Sequence, residues 1–302
     1  MTAELPPETV YRPFEPGPYR MALGLTTIPD SQWFEIDRLY PDEMHQRRRL
    51  LAERHADVFA ATSGSEAARR EALAVIVANL TIHHQAWFVR AGDSLHNHLT
   101  GEAWHLPDPG CDPLECAGRL VQEDLCLIQT TDTGQLFTAG VLCFPSRWRL
   151  REKIGLPLAA VHGPVPFYAE RLARAVDRFM RQVKPGHIAS RLNWSVLDDP
   201  ALFQPTGKWQ QAANPAITAA NAGERLHLRV ERQTLRRLPD SEAILFGIRV
   251  HTGKLSRVVA SPDECAHLAA AVRALPDDVM HYKSMLPFTA AVLAWLDARS
   301  GV

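Results

Sequence analysis

Three runs in the second half of the chain, at 187–196, 226–235 and 243–251, restrict the possible folds most strongly. In the first, Arg191, Asn193 and Ser195 alternate with Leu192, Trp194 and Val196; in the second, His227, Arg229, Glu231 and Gln233 alternate with Leu228, Val230, Arg232 and Thr234. Successive side chains of a strand point to opposite faces, so a strict period of two calls for extended strands. Pro239-Asp240-Ser241 separates the last two runs with turn-forming residues, and a longer insertion separates the first two. An antiparallel meander is expected. One face of each strand is rich in hydrogen-bonding groups. It reads either as a solvent-facing surface laced with cross-strand Arg and Glu pairs or as a polar wall above a cofactor.

Around this meander the pattern is mixed. The first 40 residues carry Pro6, Pro7, Pro13, Pro16, Pro18 and Pro29, which favour an extended arm, docked through Tyr11, Phe14, Tyr19, Trp33 and Phe34. Helices are predicted at 42–54 and from Ser63, where Ser63 and Glu66 have capping-box spacing. Short strands are predicted at 87–89 and 95–99 around Gly92-Asp93, and at 125–129 and 136–144 around Asp132-Thr133-Gly134. A helix near 148–153, a proline-punctuated segment at 156–166 and a long helix over 167–183, stopped by Pro185-Gly186, precede the meander. Helices follow it from Ser261-Pro262-Asp263-Glu264, where Ser261 and Glu264 can form a capping box. The expected fold class is α+β, with an arm and helices over 1–82, a core over 83–252 and C-terminal helices over 253–302 packing on that core.

Charge excludes several functions. With 33 basic and 34 acidic residues and no basic run longer than Arg47-Arg48-Arg49, the chain has no field to recruit nucleic acid. No stretch reaches the roughly 18 apolar residues of a membrane span. Glu4, Pro6, Pro7 and Glu8 replace the apolar core of a signal peptide, so a cytoplasmic location away from membranes is expected. The five cysteines, Cys111, Cys116, Cys126, Cys143 and Cys265, contain no C-x-x-C pair and read as reduced thiols.

Nucleotide-binding, zincin and hydrolase fingerprints are absent, so the chemistry must come from other constellations. His83-His84 and His96-Asn97-His98 resemble metal-ligand doublets, because H-x-H on a strand aligns two imidazoles on one face. They would suit a non-haem metallohydrolase, and they read equally as surface or hydrogen-bonding histidines among the 13 in the chain. His162 differs. It ends the apolar segment 156–161 and is followed at once by Gly163-Pro164. A neutral imidazole rising from an apolar wall is what haem iron requires as an axial ligand. The same position also suits a hydrogen-bonded core histidine. Near an iron, an Arg or Asn donor could stabilise partial negative charge on dioxygen, and a carboxylate such as Glu231 could hold a protonated amine.

Five blocks, 121–128 (VQEDLCLI), 143–148 (CFPSRW), 152–166 (EKIGLPLAAVHGPVP), 191–196 (RLNWSV) and 228–239 (LRVERQTLRRLP), together resemble the alpha subunits of haem-dependent oxidative N-demethylases. The resemblance covers most of the chain. It implies a PAS-like antiparallel-sheet domain carrying haem b, adapted to oxidise a small secondary methylamine such as dimethylamine with dioxygen and to release formaldehyde. It implies His162 as the metal ligand, with Val161 and Pro164 beside the cofactor, and Arg191, Asn193, Glu231, Arg232 and Tyr168 as distal-side candidates. Electrons would come from NADPH through separate reductase subunits carrying flavin and iron-sulfur centres, in keeping with the missing nucleotide and cluster motifs. A PAS-type haem sensor without turnover is the alternative. The chain departs from the family pattern at Glu242, where a small residue is expected, and at the histidine-rich 96–98.

Overall fold

Ten strands build two antiparallel sheets in the computed structural model, which describes residues 4–132, 134–209 and 211–301. They are β1 (Thr26–Ile28), β2 (Phe59–Ala61), β3 (Phe88–Ala91), β4 (Ser94–Asn97), β5 (Glu102–His105), β6 (Asp124–Thr131), β7 (Gly134–Val141), β8 (Ile188–Leu197), β9 (His227–Arg237) and β10 (Ile244–Lys254). The large sheet has the order β1-β8-β9-β10-β6-β7-β2, and β3-β4-β5 form the small one. The fold class is α+β.

The expected meander is β8-β9-β10. β9 and β10 pair from Lys254 opposite His227 to Ile244 opposite Arg237, and β8 pairs along β9 from Leu197 opposite His227 to Ile188 opposite Arg236. The β9–β10 turn is held from outside: both oxygens of the Glu71 carboxylate accept backbone N–H bonds, from Asp240 at 2.7 Å and Ser241 at 2.8 Å. Glu242 sits there in the left-handed region (φ 56°), which explains why a small residue would be at home in its place.

The helix Glu66–His83 buries Ala68, Ala72, Leu73, Ile76, Val77 and Leu80 at spacings of three and four, the pattern of an amphipathic helix. Its predicted capping box does not form. Gly64, at φ 84°, turns the chain so that Ser65 becomes the N-cap residue, and the Ser65 hydroxyl donates to the Thr62 carbonyl. The box at Ser261 does form, with Glu264 N–H donating to Ser261 Oγ at 3.2 Å and Ser261 N–H donating to Glu264 Oε2 at 3.0 Å.

Other elements depart from the pattern reading. The helix expected over 148–153 is a single 3-10 turn, Leu150–Glu152. The long helix expected over 167–183 is broken: Phe167 takes a left-handed conformation (φ 61°), a π-helical turn spans Tyr168–Leu172, and regular α-helix covers only Ala173–Gln182. Pro166 limits how the chain can enter this segment, and π turns of this kind cluster at functional sites. β1, β2 and β5 carry too few residues for a period to register; β1 and β2 take up extended conformation by pairing with β8 and β7 at the sheet edges. Thr133, in the turn expected between β6 and β7, lies outside the described residues.

Two large apolar cores and a smaller third follow. One of the large cores joins the N-terminal helices to β6, β7 and β10; the other packs the C-terminal helices against Val196, Leu228 and Val230. Among the described residues no helix is long and apolar enough to cross a membrane.

Candidate functional site

One face of β8, β9 and β10 floors a cavity of about 560 Å³, well within the range of cofactor and ligand pockets. Period two brings Arg191 and Asn193 of β8, Glu231 and Gln233 of β9, and Phe246 and Ile248 of β10 to this face. Strand register sets Asn193 opposite Glu231 and Arg191 opposite Gln233. Facing them are His162, just after a short helix over 158–161, and Tyr168, Leu172, Val176 and Met180 of the broken helical segment; Tyr19 and Leu23 of the arm and Tyr282 and Lys283 near the C-terminus close the sides. The apolar roof residues pack with Ile128, Leu235 and Ile244 in a small core of their own.

His162 caps the short helix Leu158–Val161, and its ring is held in one tautomer. The Leu158 carbonyl lies 2.9 Å from Nδ1 and can only accept, so Nδ1–H donates and Nε2 keeps its lone pair. Nε2 makes no hydrogen bond among the described residues. The ring stacks on Tyr168 at 4.7 Å between centroids and 10° between planes, which orients it further. Burial pushes the imidazole pKa down and outweighs the Leu158 bond, so the ring is neutral at pH 7. A neutral histidine with an oriented Nδ1–H and a free Nε2 is a preformed donor for a metal ion. Lys153 reinforces this corner by donating to the Val161 carbonyl.

The opposite wall is polar. Glu231 Oε2 accepts from Gln233 Nε2 at 2.9 Å and from Asn193 Nδ2 at 3.3 Å, while Asn193 Oδ1 accepts from Lys283 Nζ at 3.1 Å. Burial lowers Lys283 to about 8 against the pull of Glu231, and lowers Lys208 to about 8 as well, with Lys153 adding repulsion. Burial raises Tyr168 and Tyr282 to about 12, so both phenols stay protonated.

Of the residues singled out in the sequence, His162, Val161, Tyr168, Arg191, Asn193 and Glu231 all line this one cavity. Arg232 does not. It follows Glu231 on the same strand, so the pleat turns it to the opposite face, where it donates to the Trp33 carbonyl at 3.1 Å and to that of Gln32, and lies 3.7 Å from Glu35. Pro164 is exposed and lies off the cavity. The histidine doublets also separate. His83 ends a helix, while His84 stacks on Trp87; β4 stops at Asn97, so His96 and His98 do not share a strand face. Among the described residues no group of three or more His, Cys, Asp or Glu side chains is placed to hold a metal ion.

Lys208, Tyr282 and Lys283 were not legible as site residues. They come from the insertion after β8 and from the C-terminal helices, and no local period or motif ties them to β8 and β9.

The family model for haem-dependent oxidative N-demethylase, alpha subunit-like, matches residues 24–293. That span includes the histidine corner, the polar wall and Lys208 and Lys283, and the chain belongs to this family.

Proposed function

We propose that the chain is the haem-carrying subunit of an N-demethylating monooxygenase acting on a small secondary methylamine. The observation that carries the proposal is His162: its Nδ1–H is committed to Leu158, its Nε2 is free, and it faces a cavity whose far wall holds Glu231. These residues fit haem b. His162 would hold the iron through Nε2, the apolar side chains Val161, Leu172, Val176 and Met180 would pack on the porphyrin, and the polar β8–β9 face would lie over the substrate. The antiparallel sheet with a helical segment laid across it supports a PAS-like core over 83–252, edged by β1 and β2 from the N-terminal part.

When bound, haem supplies the activation of dioxygen. The protein's part is to bind, orient and exclude water. Glu231, held by two amides, accepts a hydrogen bond from the ammonium of the substrate, and Arg191 and Asn193 offer donors beside it. Phe246, Ile248 and Leu235 keep the methyl groups dry. Overall, dimethylamine, dioxygen, two electrons and two protons give methylamine, formaldehyde and water. The electrons come from NADPH through separate reductase subunits, and the complex works in the cytoplasm.

The test is an absorption spectrum of purified protein supplied with haem, repeated for His162→Ala. A strong Soret band that is lost or shifted in the variant is expected; a full, unshifted band would overturn the ligand assignment. NADPH consumption with formaldehyde release, on adding amine and reductase, separates the enzyme from a haem sensor.

A further inference from the structure

The cavity wall carries more positive charge than the proposed reaction can use. Arg191, Lys208 and Lys283 all line it, and none makes an ion pair with a carboxylate among the described residues. Two of them are nevertheless held in place by neutral groups. Lys283 Nζ donates to Asn193 Oδ1 and to the Trp194 carbonyl and lies 5.7 Å from the Trp194 ring. Lys208 Nζ sits 4.1 Å over the Tyr282 ring. Arg191 Nε is buried with no hydrogen-bond partner at all.

Charges drawn away from water are normally paired, because an unpaired one loses its hydration without compensation. Among the described residues the carboxylates lining the cavity are Glu15 and Glu231, the latter already accepting from Asn193 and Gln233. Against these two anions stand Arg191, Lys208 and Lys283, with Arg20 and Lys153 also on the lining, so positive charge is in surplus. Such a surplus repels an ammonium substrate unless another anion enters first.

We propose that Arg191, Lys208 and Lys283 form a carboxylate-binding subsite of the cavity. The subsite rests on the haem reading above and deepens it. Two sources share the required chemistry: the paired propionates of the porphyrin, or an acid group on the amine substrate itself. Either would lower the surplus and leave Glu231 free for the amine.

The experiment titrates the cofactor-free protein with metal-free protoporphyrin IX and with its dimethyl ester, followed by fluorescence, for wild type, Lys208→Met, Lys283→Met and Lys283→Arg. Thermal unfolding confirms that each variant is folded. The iron ligand plays no part in this binding. A wild-type preference for the diacid of about tenfold or more, lost in the Met variants and kept in Lys283→Arg, with ester affinity unchanged, identifies the propionates. If diacid and ester bind alike, the haem-loaded protein is titrated with N-methylglycine and dimethylamine, read by perturbation of the Soret band. A preference for N-methylglycine that the Met variants lose identifies a substrate carboxylate. Equal binding of acid and ester together with equal responses to both amines overturns the subsite alone. A wild type that binds neither porphyrin overturns the haem reading as well.

Discussion

Two sets of cations in this chain meet opposite fates. Arg47 and Arg249 are fully buried between the helix Tyr40–Glu53 and the sheet, and their charges are met: Arg47 by Asp124 at 2.7 Å, Arg249 by Glu43 at 2.7 Å and Asp37 at 2.9 Å. Arg191, Lys208 and Lys283 line the cavity with only neutral partners or none. The first set pairs its charges within the fold, although Arg47 Nη2 and Arg249 Nε, like Arg191 Nε, are buried without a hydrogen-bond partner. The second leaves its charges unpaired, which is the mark of a site built for a ligand.

The comparison is broken most directly at Arg249. Arg249→Met leaves Asp37 and Glu43 buried without their cation, and a loss of about 3–5 kcal/mol in unfolding free energy is expected from urea denaturation. A loss below about 1 kcal/mol would mean that the paired set is not what holds this core together. Glu231→Gln tests the cavity wall from the anionic side: the shape survives, the charge does not. KM for the methylamine should rise by about tenfold or more, about 1.4 kcal/mol, while unfolding free energy moves little. A KM unchanged in a folded variant would remove Glu231 from amine binding.

Lys283→Met gives the smallest effect and the opposite sign. Burial holds this lysine at about 8 in the folded chain against its ordinary 10.5, so the unfolded chain binds the extra proton and stability is lost as pH falls through the folded value. The cofactor-free variant should be more stable than wild type by about 1 kcal/mol at pH 7. That advantage should shrink as pH rises from 8 toward 10.5, in thermal unfolding measured across the range. A destabilised variant with no pH trend would place Lys283 among the structural cations instead.

Legibility in the sequence followed the range of the interaction that decides each feature. The polar faces of β8 and β9 were readable because the pleat is a local rule, and that rule brings Arg191, Asn193 and Glu231 together. The same rule turns Arg232 away, although the block resemblance had grouped it with them. The position of His162 was readable from the stop at Gly163-Pro164. The commitment of its Nδ1 to Leu158 depends on a single helical turn that the pattern did not delimit. The helix over 167–183 hid a left-handed Phe167 and a π turn, because helical periodicity survives one inserted residue too well to reveal it.

By itself, then, the amino-acid order determined the antiparallel meander, the residues that share each face of it, and the one histidine rising from an apolar wall, since all three depend on near neighbours along the chain. Only the tertiary structure decided which face is roofed into a cavity, and that Lys208 and Lys283 would line it together with His162. Those residues lie far apart in the chain, and nothing but the packing of the arm, the broken helix and the C-terminal helices on the sheet brings them to one cavity.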